Sequence, residues 1–268
     1  MEYQQPQQVK PTNPDDPVLS VSDLSFSYPD KDDVLRSLIL EVGPGERVGL
    51  IGPNGAGKTT LFLLVCGVLK PDAGEIRLFE QPVVPGKFRP DIGMVFQNPD
   101  DQLFCPLVRD DVAFGPSNMG LPRAEVEARV REALSIAGAL ELADRPPHHL
   151  SGGEKRMVSI AGVLAMRPRL VVYDEPSASL DIHSRRRLIR FLQASQETIL
   201  IASHDLELIL EVCDRVVLID EGRIVANGDP TEIMDDVELM EAHGLERPHS
   251  LAPHVEPHHE RPQVAPHF

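Results

Sequence analysis

Apolar and polar residues alternate between Val18 and Val42. Leu19-Ser20-Val21, Leu24-Ser25-Phe26-Ser27-Tyr28 and the stretch from Val34-Leu35 to Leu38-Ile39-Leu40 each place apolar residues on one face. That period predicts antiparallel strands with one solvated side. Further on the pattern changes. Glu46 to Ile51 reads as a short buried strand and Thr60 to Val65 as an apolar helix. Leu170-Val171-Val172-Tyr173 and Thr198-Ile199-Leu200-Ile201-Ala202 are unbroken β-rich runs, which suit a parallel sheet covered on both faces. The segment Ile182 to Ala194 predicts a helix between them and so a βαβ unit. Residues 107–166 read mainly as helix, and Pro122 opens one whose Val126, Val130, Leu134 and Ala137 share a face. Arg215 to Ile219 and Gly222 to Ala226 predict a closing hairpin. The fold class is therefore α/β, with a mostly parallel sheet, an antiparallel β part and a helical part at about 100–165.

The ends differ from this middle. Residues 1–17 are rich in Gln and Pro, and residues 247–268 in Pro and His; both predict disorder around a domain at 18–246. His243, His249, His254, His258, His259 and His267 bring six imidazoles close in sequence, a composition that suits Ni²⁺, Co²⁺ or Zn²⁺, although incidental histidines in a proline-rich tail are the simpler reading.

The 268 residues carry a net charge of −16, which argues against nucleic acid as a partner and against docking on anionic lipid. The longest apolar run, Leu61 to Leu69, has nine residues, too few for a membrane span of roughly 20. Met1 to Pro6 has no basic or apolar region of a signal peptide. Cys66, Cys105 and Cys213 stand in no metal-ligand spacing and read as thiols of a reducing compartment.

The candidate chemistry begins at Gly52-Pro53-Asn54-Gly55-Ala56-Gly57-Lys58-Thr59, the pattern G-x-x-x-x-G-K-[ST] between a strand and a helix. Glycines let the backbone curl so that N–H groups converge on phosphate, Lys58 adds a point charge, and the Thr59 hydroxyl suits Mg²⁺. The positive end of the following helix faces the same anion. Leu150-Ser151-Gly152-Gly153-Glu154 offers a second set of donors before a helix, although taken alone a capping box of Ser151 with Glu154 is the simpler reading. The run 170–173 ends in Asp174 and Glu175, placed to hold Mg²⁺ and to polarise an attacking water. His204 ends the next strand, at the carboxyl edge where ligands of parallel sheets gather. Gln97 ends another strand and suits the Mg²⁺ shell, before the polar turn Asn98 to Phe104.

In this order these strings resemble the ATP-binding subunit of an ABC transporter, from about Leu19 to Met240. The resemblance implies a P-loop NTPase core with a helical signature subdomain. It implies ATP and Mg²⁺ as ligands, and Tyr28 as the aromatic that stacks on adenine. Gly52 to Thr60 would bind nucleotide; Thr59, Gln97 and Asp174 would hold the metal; Glu175, His204 and Gln97 would serve hydrolysis. Ser151, Gly152, Gly153 and Asp181 would reach the nucleotide of a second ATPase chain, identical or a sibling. The turn 96–104 and Glu154-Lys155 resemble the ATPases of energy-coupling factor importers of the cobalt or nickel branch. Such a subunit would sit peripherally on the cytoplasmic face of the membrane beside a transmembrane partner, importing a metal ion or a vitamin. A soluble ABC ATPase, such as a cluster-assembly factor, is the alternative. Two positions depart from the family pattern: Met157 stands where Arg is usual, and Ser179 where Gly is usual.

Overall fold

A computed structural model describes residues 16–252. His254, His258, His259 and His267, with residues 1–15 and 253–268 of the two segments expected to be disordered, lie outside the described residues. In chain order, β1 (Leu19–Tyr28) and β2 (Lys31–Val42) make a hairpin, and β3 (Arg47–Ile51) runs through the glycine-rich loop into α1 (Lys58–Val65). Then come β4 (Ala73–Leu78), β5 (Gln81–Pro82) and β6 (Ile92–Val95), followed by the helices α2 (Val108–Asn118), α3 (Arg123–Ile136) and α4 (Gly152–Leu164). The chain continues with β7 (Leu170–Asp174), α5 (Ile182–Ala194), β8 (Thr198–Ala202) and α6 (Leu206–Val212), then β9 (Arg215–Asp220), β10 (Arg223–Gly228), α7 (Pro230–Asp235) and α8 (Val237–Ala242).

Six strands form the main sheet in the order β10-β9-β3-β8-β7-β6, all parallel except β10, which returns antiparallel on β9. The other sheet is antiparallel, in the order β2-β1-β4-β5. The unbroken apolar runs of the main sheet follow from its position. Val172, Leu200 and Val217 face a core shared with the antiparallel sheet, while Val171, Ile201 and Leu218 face a core shared with α2 to α6. Helix α1 lies in the first of these cores, which explains why it is apolar on nearly all sides.

The three alternating stretches near the N-terminus are two strands. β1 carries the first two past irregular register at Val21, Leu24 and Phe26, where Asp23, with φ of 50°, marks a bulge, and β2 carries the third. Past Glu246, the expected end of the domain, the chain remains attached. Ser250 Oγ donates to Glu207 at 2.6 Å and Arg247 pairs with Asp235. His243, one of the six imidazoles grouped in the sequence, instead places Nδ1 2.8 Å from Asp220 within the folded domain. Among the described residues no group of three potential ligands gathers for a metal ion, and no helix is long and apolar enough to cross a membrane.

Candidate nucleotide site

The parallel register brings the carboxyl ends of β3, β6, β7 and β8 to one edge of the main sheet. A cleft of about 220 Å³ opens there, lined by Tyr28, Asn54 to Thr60, Gln97, Asp174, Glu175 and His204. Most residues assigned to nucleotide and metal from the sequence thus meet in one place. Gly52 and Pro53 do not line the cleft. Gly52 has φ of 145°, and a Cβ there would fall 1.9 Å from the Ile219 carbonyl oxygen, so only glycine fits the turn out of β3.

Lys58 is buried, and its Nζ donates to the carbonyls of Gly52 at 2.7 Å and Pro53 at 3.0 Å. Burial lowers its pKa, opposed by the charges of Glu175 and Asp174. Two neutral carbonyls leave this ammonium uncompensated by a contacting carboxylate, a suitable state for meeting phosphate. The Thr59 hydroxyl donates to Asp174 Oδ2 at 2.9 Å, joining the loop to the end of β7. Burial raises the Asp174 pKa, countered by the Thr59 hydrogen bond and by Lys58 and Arg156.

Glu175 follows at φ of 46°, a left-handed kink that turns its side chain off the strand. Its Oε2 accepts the His204 backbone N–H at 3.1 Å. Its Oε1 is buried and has no hydrogen-bond donor; His204 Nε2, at 3.4 Å, is near but does not complete a bond. Burial raises the Glu175 pKa, against the His204 N–H, and the neighbouring Asp174 pushes in the same direction as burial. A buried carboxylate oxygen without a donor, beside an imidazole, has the chemistry of a proton acceptor. Tyr28 reaches the cleft from the end of β1, with its hydroxyl 3.3 Å from Thr60 Oγ1 and its ring edge-on to Phe26.

Ser151, Gly152, Gly153 and Asp181 do not line this cleft. Ser151 and Glu154 make the capping box of α4: the Ser151 hydroxyl accepts the Glu154 N–H at 3.3 Å, and the Ser151 N–H donates to Glu154 Oε2 at 2.8 Å. Asp181 caps α5 through the N–H groups of His183 and Ser184. The two helix starts adjoin, since a Cβ on Gly153 would fall 2.2 Å from Ser184 Oγ. Of the two departures, Ser179 has φ of 61°, where glycine is at ease and serine is not. Met157 packs into the apolar core against α3 and α5.

Three residues at or near the site escaped the sequence reading. Lys31 and Val34, from the β1–β2 hairpin, line the cleft; a lysine in a polar hairpin turn carries no signal of its own. Arg156 is 1% exposed and donates to the carbonyls of Phe96 and Gln97, 2.5 Å each. Its proximity to Ser-Gly-Gly was visible, but its partners lie about sixty residues earlier and could not be read from spacing.

Comparison with known proteins gives the same answer as this geometry. The family profile described as ABC transporter matches residues 35–178. A Synechocystis protein named as an ABC transporter ATP-binding protein is 57% identical over 239 residues, covering 89% of this chain and 84% of the relative. The energy-coupling factor transporter ATP-binding protein EcfA of Methanothermobacter thermautotrophicus is 49% identical over 239 residues, covering 86% of this chain and 77% of the relative. Among solved structures, cbiO1 from Clostridium perfringens, described as part of the ABC transporter complex cbiONQ, superposes with a TM-score of 0.75 at 38% identity, over 85% of this chain and 94% of that one. The chain belongs to the ABC transporter family, and it is an ATP-binding subunit of the kind that hydrolyses ATP.

Proposed function

We propose that this protein powers a membrane importer of the energy-coupling factor type, as one of a pair of ATPase chains docked peripherally on the cytoplasmic face of a transmembrane partner. The observation that carries the hydrolytic part is the buried Glu175 Oε1, without a donor, in the same cleft as Lys58 and the Thr59–Asp174 pair. Glu175 takes the proton of the attacking water, and His204 orients it from the neighbouring strand end. Lys58 exchanges the carbonyls of Gly52 and Pro53 for the phosphates, and the amides of Gly55 to Thr60 surround them. Tyr28 stacks on the base.

The hard oxygens of Thr59, Asp174 and Gln97 fit Mg²⁺, with the hydroxyl and carboxylate already joined at 2.9 Å. When bound, the ion supplies charge neutralisation for the leaving phosphates. Ser151, Gly152 and Gly153 present the start of a 13-residue helix outward, where a second chain's phosphate is stabilised by the free N–H groups and the helix dipole. Asp181 meets the same neighbour.

The membrane partner docks beside Gln97. Phe104 is 64% exposed and stacks edge-on with the half-exposed Phe114 at 4.9 Å, an aromatic pair that suits an interface. The resemblance of the turn 96–104 to energy-coupling factor ATPases supports a cargo of cobalt, nickel or a vitamin. Expression with the membrane proteins encoded beside it tests the reading. A stable complex with ATP-dependent cargo uptake in vesicles is expected; a chain that hydrolyses ATP yet binds no membrane protein overturns it.

A further inference from the structure

Helix α4 is tied to the turn after β6 by a set of bonds that hydrolysis alone does not call for. Arg156 Nη1 donates to the Phe96 carbonyl and Nη2 to the Gln97 carbonyl. Lys155 Nζ meets Asp100 Oδ1 at 2.6 Å. Gln102 Nε2 donates to the Ser159 carbonyl at 2.9 Å, while its Oε1 accepts the Phe96 N–H at 3.3 Å. Arg156 is the centre of this set. Its guanidinium is buried, no carboxylate contacts it, and its Nε has no acceptor. Burial pushes its pKa down to about 10, with the negative charge of Asp174 opposing.

A buried charge of this kind contributes little to stability compared with an apolar residue of similar volume. What it does supply is direction. Two parallel donors fix the planes of two successive peptides, and the second peptide is that of Gln97, whose side chain lines the cleft. The same helix begins four residues earlier at Gly152, about 6 Å along its axis at 1.5 Å per residue.

We propose that Arg156 is a positioning residue for hydrolysis: it clamps the Gln97 backbone to α4, so that the glutamine in this chain's cleft and the Ser151–Gly153 end offered to the neighbouring chain hold a fixed relation. The proposal rests on the assignment of Gln97 to the metal shell. Arg156 touches neither nucleotide nor metal; it acts through Gln97.

The test uses the full chain with Arg156→Lys and Arg156→Gln, and Gln97→Ala as the reference. Lysine keeps the charge but replaces the planar fork of two parallel donors with a single rotatable ammonium, so the planes of the two peptides are no longer fixed together. The Mg²⁺ midpoint of ATPase activity is expected to rise about tenfold or more in Arg156→Lys, the effect usual for groups that orient metal ligands. Amide exchange over residues 96–102 should quicken about tenfold, while β7 and β8 exchange as in the wild type. Wild-type Mg²⁺ dependence together with wild-type exchange in both Arg156 variants overturns the proposal. So does general acceleration across the core in Arg156→Gln while Arg156→Lys behaves as wild type, since that marks a packing residue. If Gln97→Ala leaves the Mg²⁺ midpoint unmoved, the metal assignment of Gln97 fails. The clamp is then judged on exchange alone: local acceleration keeps it, and none removes it.

Discussion

The nucleotide cleft and the start of α4 are the two surfaces proposed above to meet phosphate, and their hydrogen bonding differs in kind. In the cleft, key groups are left short of partners: Lys58 holds only two carbonyls, and Glu175 Oε1 has no donor. At the start of α4 the side chains satisfy one another, Ser151 with Glu154, and Asp181 with Ser184 next door. What remains unspent there is backbone, the N–H groups of Gly152 and Gly153 at the head of the helix. The cleft is thus equipped for chemistry within one chain, and the helix start for recognition of a ligand that another surface brings to it.

The largest effect should come from the cleft. Glu175→Gln keeps ATP binding and slows turnover by about 10² to 10⁴, the span of a lost general base. Wild-type turnover by single-turnover kinetics would break the contrast at its root. The same substitution should stabilise the fold near neutral pH. Burial raises the Glu175 pKa in the native state, so its contribution to stability is full below the unfolded carboxylate pKa and is lost as pH rises through the folded value. The gain in melting temperature for Glu175→Gln should therefore be present at pH 8 and vanish towards pH 4. The acid limb of wild-type activity should lie above the ordinary carboxylate range.

The helix start should matter only in the pair. Glu175→Gln with ATP and Mg²⁺ is expected to shift to a dimer at micromolar concentration. Adding Ser151→Arg should weaken that dimer by about thirtyfold, as loss of a central contact does. Single-chain nucleotide affinity should not change. Light scattering with and without ATP reads the first, titration of a fluorescent nucleotide the second. An unchanged dimer would place the cross-chain contact elsewhere.

How much of this was legible in the sequence divides along the same line. Gly52 to Thr59, Asp174-Glu175 and His204 were readable because a tight backbone path or a strand end dictates the residue type locally. The helix Ile182 to Ala194 was read to its last residue because Asp181 caps it and its apolar spacing is regular. β4, β5, α7 and α8 were not singled out; they have two to six residues each, too few for a period to declare itself. The turn Asn98 to Phe104 was half legible. Leu103 and Phe104 are adjacent and both apolar, yet Leu103 packs against the core while Phe104 is largely exposed and touches Phe114 of α2 edge-on. Arg156 was invisible for a different reason: its role is defined by carbonyls, and every residue carries one.

That split sharpens the next prediction. Phe104→Ser should cost no more than about 1 kcal/mol, since the residue is exposed and loses chiefly its edge-on contact with Phe114, leave basal ATPase within a few-fold and uncouple transport. Leu103→Ser should cost about 1 to 3 kcal/mol, because a half-buried leucine loses its packing. If both variants transport normally, the partner docks on another face.

The smallest expected effect lies between the two regions, in the segment that joins Glu175 to Asp181. Ser179 holds φ at 61° where the left-handed conformation crowds any Cβ, at a cost of about 1 kcal/mol or slightly more. Ser179→Gly relieves that crowding in the native state but also frees the unfolded chain, which offsets part of the gain. A net rise of at most about 0.5 kcal/mol, or roughly 1 to 2 °C in melting temperature for a domain of this size, is the expected balance. ATPase activity separates two explanations for a serine here. If its hydroxyl serves only as a tolerated substitute, Ser179→Gly hydrolyses ATP as the wild type does. If the serine supplies a contact to the neighbouring chain, the more stable variant will be the slower enzyme, and the loss will appear in the dimer and not in single-chain nucleotide binding.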